Sequence, residues 1–474
     1  MVRVRGWVAA FSCALLLLTG ARAEDRQKID QEARAVLKQL IEINTTDSTG
    51  NVSQAAEAMA QRLRAAGFTE KDVMLAGPND RKKNLVLRYR GTGRKKPILF
   101  IGHLDVVEAL RADWTTNPFE LVEKDGYFYG RGTQDMKEGD AILVMAFLRL
   151  KREGFVPDRD LILALTADEE GGAANGVDWL LKEHKDWIDA EYCINLDGGE
   201  FEKSKGQRVL AGLQASEKVY ADFQLETTNP GGHSSVPGAQ NAIYELAAAL
   251  LKVQAFSFPV NINDITRNYF KHSATLTAGA LAGDLRGAAK EPPDPDAIKR
   301  LSANPYYNSL LHTTCVATLL SGGHAPNALP QSARANVNCR IFPGEDPEEV
   351  HKTLEQVVAN PKVKVTPVSE KTADGKFIPI VAVPPSPLLP EVTEMLERTL
   401  STMWPGLPVV PTMSTGATDG KYLRIAGIPT YGIACMFFDM EDDRAHGKDE
   451  RIEIPEYYDG VEFGYRLIKA LGSN

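Results

Sequence analysis

Several common sequence features are scarce or missing in this chain of 474 residues. The apolar run Trp7–Leu18 is shorter than the about 20 residues that a membrane-spanning helix needs, so we predict no membrane anchor. Cysteine is scarce, with five residues and no CxxC spacing, and no internal repeat is evident. A content of 43% hydrophobic and 25% charged residues excludes a disordered chain. These absences indicate an ordinary globular protein of more than one domain.

The N-terminal segment has the pattern of a secretory signal. Arg3 and Arg5 precede the apolar run, and Ala21-Arg22-Ala23 has the small-x-small pattern of a signal-peptidase site. We predict that residues 1–23 are a signal peptide, cleaved after Ala23. The mature protein is therefore expected to be secreted or periplasmic, without a stable membrane anchor.

Acidic residues outnumber basic ones. The chain has 54 Lys and Arg against 63 Asp and Glu, which gives a net charge of −9. Cleavage of the predicted signal peptide removes three arginines and no acid, and so changes −9 to −12. A nucleic-acid partner is not expected, because its phosphates require a basic surface.

Four cysteines follow the predicted signal peptide, at Cys193, Cys315, Cys339 and Cys435. Most of them lie in strand-like, partly apolar segments, which favours buried free thiols. An oxidising compartment also allows one or two disulfides. The sequence leaves both alternatives open.

Alternating strands and helices predict an α/β fold with a mostly parallel sheet flanked by helices. Asp125-Gly126 predicts a hairpin turn. The main predicted helices are Ile29–Ile43, Val52–Ala66, Glu138–Arg152 and Val177–His184, and the main predicted strands are Leu85–Tyr89, Pro97–His103, Leu161–Leu165 and Tyr192–Leu196. We assign residues 24–212 and 375–474 to this catalytic domain.

From about Leu213 the pattern changes to that of an inserted domain. Val219–Glu226 alternates apolar and polar residues, as in an antiparallel strand with one wet face. Further elements are predicted as a helix at Ala239–Val253, strands near Cys315–Leu319, Arg334–Ile341 and Val363–Val368, and a helix at Pro347–Ala359. We predict that residues 213–374 form a two-layer α+β lid or dimerisation domain.

Metal-ligand side chains follow three predicted strands: His103, the acidic run Asp168–Glu170, and Asp197. In open α/β sheets, ligands bind at the carboxyl ends of strands. Adjacent acids repel one another unless a positive charge lies between them. By strand alternation, Asp105 shares a face with His103 and can accept the proton of one imidazole nitrogen. A surface histidine beside an aspartate is the simpler explanation of His103 alone.

Two glycine-containing loops add Asp135, just before a predicted helix, and His446 near the C-terminus. Helix capping explains Asp135 alone equally well. Together, these positions supply an imidazole and carboxylate set suited to two zinc ions: His103, Asp135, Glu170, Asp197 and His446.

At this point the sequence resembles the M20 family of metallopeptidases and amidohydrolases, over nearly all of the mature chain. Its members include bacterial carboxypeptidases, dipeptidases, aminoacylases and succinyl-diaminopimelate desuccinylase. The resemblance is carried by the segments GHLDVV, GRGTQDMK, DEEGG, INLDGG, GGHSS, NALP, CRIFPG and AHGKDE. It implies two Zn²⁺ per chain, with Co²⁺ or Mn²⁺ as substitutes. In the implied site Asp135 bridges both metals, His103 and Asp197 complete one position, and Glu170 and His446 complete the other.

The resemblance also implies roles for residues that are not ligands. Asp105 would orient His103, and Glu169 would be the general base. His233 would polarise the scissile carbonyl, acting across a homodimer formed by the inserted domain, and its alternative is a surface histidine. Asn327 and Arg340 would hold the substrate, although Arg340 also suits a structural ion pair.

We therefore predict an exported dizinc metallopeptidase that hydrolyses a peptide bond next to a free C-terminal carboxylate, as a carboxypeptidase or dipeptidase. The alternatives are an N-acyl amino acid deacylase of the same family and a non-catalytic binding homologue. The presence of Glu169 with all five ligands argues against the binding homologue. Glu138 stands where the family often has glycine, which puts only the local loop shape in question.

Overall fold

The computed structural model describes residues 26–171, 174–369 and 379–473. The predicted signal peptide, residues 1–23, lies outside these ranges. Among the described residues, no helix combines the length and the apolar character that crossing a membrane requires.

Helices and strands are numbered in chain order. The helices are α1 (26–42), α2 (Val52–Ala65), α3 (Lys137–Arg152), α4 (Gly176–Glu183), α5 (Lys185–Ile188), α6 (Ala242–Ala255), α7 (Asp264–Leu276), α8 (Gly279–Ala288), α9 (Pro295–Ser302), α10 (Pro305–Leu311), α11 (Pro347–Val358), α12 (Pro390–Met403), α13 (Gly420–Ile425) and α14 (Ile454–Leu471). The strands are β1 (Val73–Ala76), β2 (Asn84–Tyr89), β3 (Ile98–His103), β4 (Val122–Lys124), β5 (Tyr127–Tyr129), β6 (Leu161–Thr166), β7 (Tyr192–Asn195), β8 (Phe201–Ser204), β9 (Gln207–Glu217), β10 (Val219–Thr228), β11 (Gly232–His233), β12 (Thr314–Gly322), β13 (Ala328–Leu329), β14 (Ser332–Ile341), β15 (Val363–Val368), β16 (Val409–Ser414), β17 (Thr430–Gly432), β18 (Phe437–Asp439) and β19 (Arg451–Glu453). These elements confirm the predicted α/β class.

The chain separates into two compact units, which are described separately. The first contains Met1–Trp179 and Cys435–Asn474, and the second contains Leu180–Ala434. The domain boundaries that we drew from the sequence, at 212/213 and 374/375, stay a prediction.

In the first unit, β3 and β6 are continuous apolar strands in which all residues are buried. They pair in parallel, and β6 also pairs antiparallel with β2, which pairs with β1. The register places His103 opposite Thr166, so both strands end at the same edge of the sheet. The predicted metal ligand His103 and the acidic run after β6 therefore start from neighbouring positions.

Two long helices of the first unit, α3 and α14, approach each other closely. A Cβ atom at Gly464 would lie 2.4 Å from Cγ2 of Ile142 in α3. Because glycine has no Cβ, α14 can pack against α3 at this point. Burial of nearly all of α3 fixes the helix that follows Asp135.

A small sheet joins two sequence-distant loops of the first unit. β4 and β5 form the predicted hairpin, and Asp125 and Gly126 have φ angles of 52° and 83° in its turn. β19 pairs antiparallel with β5. The chain after His446 therefore runs beside the strand that leads into the loop of Asp135.

In the second unit, β7 pairs in parallel with β17, and β9 pairs with β8, β16 and β17. Residues 264–311, in which the sequence analysis predicted no regular element, contain the four helices α7 to α10. The first turns of α7, α9 and α10 have side-chain caps from Asn263, Asp294 and Asn304.

The second unit also contains the predicted two-layer lid. Its antiparallel sheet has the strand order β12-β14-β10-β15, and α6 and α11 pack on it through a core that includes Phe223, Leu246, Val337 and Leu354. A disulfide joins Cys315 to Cys339 between β12 and β14. Cys193 and Cys435 are buried free thiols, so both alternatives for the cysteines are found in the same chain.

Candidate metal centre

His103 ends β3 with its side chain buried. Its Nδ1 lies 3.1 Å from the backbone carbonyl of Asp105, and 3.8 Å from the nearest carboxylate oxygen of the same residue. A carbonyl oxygen only accepts hydrogen bonds, so Nδ1 carries the proton and the neutral ring keeps a lone pair on Nε2. The tautomer is thus suited to metal binding through Nε2.

The carboxylate of Asp105 has a different set of partners. Its two oxygens accept hydrogen bonds from the backbone N–H groups of Glu169 and Glu170, at 3.1 and 3.0 Å. Strand alternation predicted a carboxylate beside the imidazole, but β3 ends at His103 and the chain then turns. Burial raises the pKa of Asp105. Asp105 therefore orients His103 through its backbone and holds the acidic loop through its side chain.

The first acid of the run after β6 is neutralised within the protein. The buried carboxylate of Asp168 pairs with Nζ of Lys82 and accepts a hydrogen bond from the N–H of Ala174 at 2.7 Å. Lys82 also contacts Asp47, at 2.6 Å. The countercharge that we expected from metal ions is thus supplied by a lysine for Asp168.

Asp135 lies between two histidines. Its Oδ1 is 3.1 Å from Nε2 of His103, and its Oδ2 is 2.9 Å from Nε2 of His446. Although burial on its own raises the pKa of Asp135, the contacts with both imidazoles lower it below the ordinary value. Among the described residues, the buried Oδ1 atom has no hydrogen-bond partner. A cation bound between Oδ1 of Asp135 and Nε2 of His103 would give this carboxylate oxygen a partner.

His446 contacts a second carboxylate, that of Glu170. Its Nε2 lies 3.1 Å from Oε1 of Glu170 as well as 2.9 Å from Asp135. Hydrogen bonds to Asp135 and Glu170 raise the pKa of His446 to about 10. The ligand atoms of Asp135, Glu170 and His446 lie within 4.8 Å of one another. One nitrogen and two carboxylates around one point are a donor set that fits zinc.

A buried ion pair beside these loops was not singled out from the sequence. Nη1 of Arg131 lies 2.5 Å from Oε2 of Glu450. In the chain, Arg131 lies four residues before Asp135 and Glu450 lies four residues after His446. Their one sequence signal is that each belongs to a motif that carries a ligand, GRGTQD and AHGKDE.

In the second unit, Asp197 follows β7 on a loop held by side chains. Its N–H donates to Oδ1 of Asn195 at 3.0 Å, and the N–H of Gly199 donates to Oε1 of Gln214 at 3.3 Å. Gln214 in turn donates to the buried carboxylate of Glu217 at 3.2 Å. The loop of Asp197 therefore has a defined conformation, and the role of Asp197 as a ligand stays a prediction.

The lid brings two predicted substrate residues together. β11 pairs with β13, which places His233 opposite Ala328, and the N–H of Ser234 donates to the carbonyl of Asn327 at 3.1 Å. Nδ1 of His233 accepts a hydrogen bond from the N–H of Ser235 at 3.2 Å. Since a backbone N–H only donates, the neutral ring of His233 carries its proton on Nε2. His233 therefore presents a donor, as polarisation of a carbonyl requires.

Arg340 lies on β14, with its guanidinium 4.7 Å from the centre of the Tyr220 ring. Burial lowers the pKa of Arg340. Within the described ranges we find no carboxylate at ion-pair distance from Arg340 and no hydrogen bond from it to His233 or Asn327. This arrangement disfavours the structural ion pair and leaves the guanidinium available to a substrate carboxylate.

Comparison with known proteins gives three kinds of match. The model of peptidase family M20/M25/M40 matches residues 99–470. A probable carboxypeptidase S-like protein of Dictyostelium discoideum is 28% identical over 403 residues, covering 81% of this chain and 74% of that protein. The N-fatty-acyl-amino acid synthase/hydrolase of Homo sapiens is 27% identical over 400 residues, and the match covers 79% of this chain and 74% of that protein.

Among solved structures, an M20 family metallo-carboxypeptidase of Sulfolobus solfataricus has the same fold. Its TM-score is 0.69 at 17% sequence identity, and the match covers 93% of this chain and 99% of that one. The family match spans most of the chain and includes every residue proposed from the sequence as a metal ligand. This chain therefore belongs to peptidase family M20/M25/M40 and is a metal-dependent hydrolase.

Proposed function

We propose that this protein is an exported dizinc hydrolase that cleaves an amide bond next to a free C-terminal carboxylate. The observation that carries the proposal is the position of Asp135, whose two oxygens face two different imidazoles at 3.1 and 2.9 Å. A carboxylate in this position suits a bridge between two cations and offsets their repulsion.

The proposed ligands fall into two groups that share Asp135. His103 and Asp197 would complete one position, and Glu170 and His446 the other. Zinc lowers the pKa of a water molecule toward ~7 and polarises a carbonyl oxygen. Co²⁺ or Mn²⁺ would serve as substitutes, because the donors are nitrogen and oxygen.

Glu169 is the proposed general base. Its backbone N–H is held by Asp105, and it directly precedes Glu170, so the loop that positions a ligand also positions the base. Glu169 would take a proton from the attacking water and deliver it to the leaving amine. Its carboxylate is not among the ligand atoms that cluster in the described residues, which is consistent with a role in proton transfer.

The lid would supply the contacts to substrate. His233 would donate its Nε2 proton to the scissile carbonyl, and Arg340 would hold the free carboxylate through two parallel hydrogen bonds. Asn327 is held beside His233 by the β11–β13 pairing and would contact the substrate next to it.

A homodimer is part of the proposal, because β12 is an edge strand of the lid sheet with exposed apolar side chains. Val316, Leu319 and Leu320 are 61%, 71% and 72% exposed. An exposed apolar edge is suited to pairing with another chain. A second copy covering this edge would let His233 act in the active site of its partner.

Two substrate classes fit this site. The carboxypeptidase S-like relative favours peptides, and the human relative, an N-fatty-acyl-amino acid synthase/hydrolase, favours N-acyl amino acids. Both classes present an amide bond and a carboxylate at the spacing of one amino acid. Export rests on the pattern of residues 1–23.

The decisive experiment uses zinc-reconstituted protein with a library of dipeptides and N-acyl amino acids, read by mass spectrometry. Each substrate is paired with its C-terminally amidated analogue. We expect hydrolysis of free-carboxylate substrates at least about 100-fold faster than of their amides, since loss of a charged contact costs several kcal/mol. Equal rates would contradict the carboxylate requirement. Zinc-loaded protein without any turnover would support the binding homologue instead.

A further inference from the structure

The ion pair between Arg131 and Glu450 joins two loops of the first unit that carry proposed ligands. Arg131 lies four residues before Asp135, and Glu450 lies four residues after His446. Their side chains are 3% and 0% exposed, and Nη1 of Arg131 is 2.5 Å from Oε2 of Glu450. The pair is therefore fully removed from water.

The carboxylate of Glu450 accepts hydrogen bonds from the backbone of the loop that leads to Asp135. The donors are the N–H groups of Gly132 at 3.1 Å, Gln134 at 2.6 Å and Asp135 itself at 3.2 Å. Gly132 has a φ of 90°, a conformation that a glycine adopts without strain. Glu450 thus fixes the backbone of the proposed bridging residue.

The guanidinium of Arg131 contacts the backbone of the loop that carries His446. Its Nη2 donates to the carbonyl of Gly447 at 2.9 Å and lies 3.4 Å from the carbonyl of His446. The guanidinium carbon lies 5.1 Å from the centre of the Trp114 ring, which holds it from a second side. Arg131 therefore controls the position of the backbone that carries His446.

Gln134 adds a third connection between the same loops. Its Oε1 accepts a hydrogen bond from the N–H of Arg444 at 2.7 Å, and its Nε2 donates to the carbonyl of Asp442 at 3.4 Å. These hydrogen bonds connect the loop of Asp135 directly to the loop of His446.

Stability alone does not require an ion pair at this place. Burying two charges is costly, and well-packed apolar side chains are often as stabilising. What an apolar pair does not provide is directional hydrogen bonding to the backbone of both ligand loops. Protein groups that hold metal ligands from outside typically alter metal affinity by about 10- to 100-fold when removed.

We propose that Arg131 and Glu450 are positioning residues that set the separation of Asp135 and His446, and thereby the affinity of the site for its metal ions. The inference rests on the proposed dizinc function. Neither residue is assigned as a ligand, since the oxygens of Glu450 are already occupied by N–H donors.

The test measures metal binding directly. Apo-protein from the wild type, Glu450→Gln and Arg131→Lys is titrated with Zn²⁺ against a competing chelator and with Co²⁺ by visible absorption. Gln keeps the shape of the side chain without its charge, and Lys keeps the charge without the planar fork. We expect the dissociation constant of at least one of the two metal ions to rise about 10- to 100-fold in each variant, with a changed Co²⁺ spectrum.

The matched control is Glu462→Gln, which removes the charge of a partly buried partner of Arg149 at 2.9 Å between α14 and α3. We expect it to lower thermal stability with wild-type metal affinity. Variants at Arg131 and Glu450 that lose stability but keep wild-type affinity and spectrum would overturn the inference. Should Glu450→Gln not fold, Arg131→Lys decides alone. Wild-type protein that binds fewer than two metal ions would instead contradict the proposed function.

Discussion

The carboxylate of Asp135 reaches Nε2 of His446 at 2.9 Å, across more than 300 residues of sequence. Glu170 contacts the same nitrogen at 3.1 Å. One imidazole nitrogen cannot donate one proton fully to both carboxylates, so a metal ion is the partner that suits this group best.

Asp135→Ala is expected to abolish binding at both proposed metal positions, because they would share this carboxylate. Elemental analysis after dialysis should find less than about 0.2 zinc per chain, against two in the wild type, given that loss of a first ligand exceeds the 10- to 100-fold cost of an outer one. Loss of one zinc only would exclude the bridge. Asp178→Ala, at a half-buried position of α4 that is not a proposed ligand, is the control.

Glu169→Gln is expected to keep two metal ions and to lose about 10²- to 10⁴-fold in kcat, the contribution of general acid and base catalysis. Glu170→Gln should show the opposite pattern, in which the protein loses bound metal. Parallel metal analysis and turnover measurements check both. Loss of metal from Glu169→Gln with retention in Glu170→Gln would mean that the two roles are exchanged.

His233→Ala is expected to lower kcat by about 10²- to 10³-fold with both metals bound, as loss of a preorganised donor does. If His233 acts across a dimer, mixing this variant with Glu169→Gln creates heterodimers with one intact site each. Activity should then recover toward half of the wild-type value per heterodimer. No recovery despite demonstrated subunit exchange would place His233 in its own chain or outside catalysis.

Leu320→Lys is expected to weaken the proposed homodimer, because it puts a charge on the exposed apolar edge of β12. Removing an apolar side chain from an interface costs about 1.5–3 kcal/mol, so the dimer dissociation constant should rise at least about 10-fold. Sedimentation velocity over a concentration series measures this. Val156→Lys alters a similarly exposed apolar residue of the first unit, 67% exposed, and should leave association unchanged.

Lys218 predicts a pH dependence of stability in the second unit. Burial lowers its pKa from 10.5 to about 7, and its Nζ donates to the carbonyl of His312 at 2.6 Å. Between pH 7 and 10.5 the unfolded chain holds a proton that the folded chain lacks, so the free energy of unfolding rises by about 1.4 kcal/mol per pH unit. Below pH 7 both states are protonated and this slope vanishes.

Urea unfolding from pH 6 to 9.5 checks this prediction by comparing the wild type with Lys218→Met. The free energy of unfolding of the wild type should increase relative to that of the variant as pH rises above 7. Lys252→Met is the control, because Lys252 also donates to a carbonyl, at 2.6 Å, from an exposed position. Parallel curves for the wild type and Lys218→Met would show that Lys218 does not titrate in this range.

The strand ends of the candidate site could be predicted because they depend on local pattern. The buried strand 98–103 is apolar up to Gly102 and ends in His103, and the apolar run 161–165 is followed three residues later by Asp168. Parallel pairing then brings such ends to one edge. Asp135 and His446 were candidate ligands on glycine-containing loops, but only the resemblance to the family implied which metal position each would serve, because such a loop alone does not fix where its side chains lie.

Contacts between distant residues could not be predicted in the same way. Lys82 and Asp168 are 86 residues apart, and Arg131 and Glu450 are 319 apart. Nothing in the local sequence of either member indicates its partner, because the pairing depends on how the elements pack. The turn after β3 is a similar case, since it gives the imidazole a backbone carbonyl where alternation predicted a carboxylate.

The helices α7, α9 and α10 were missed although their start signals are present. Asn263 caps α7, and Asp294-Pro295 and Asn304-Pro305 place a capping side chain and a proline at the start of α9 and α10. These are strong helix starts. α9 and α10 are only 8 and 7 residues long, so each offers only about two turns over which hydrophobic periodicity can be read.

The two histidines of the candidate centre differ sharply in access to water. The side chain of His103 is 2% exposed and that of His446 is 55% exposed. Two ions bound at this centre would therefore differ in exchange kinetics as well as in affinity. The ion held by His446 would leave first on dilution and return first from solution, and a half-loaded enzyme would retain the ion held by His103.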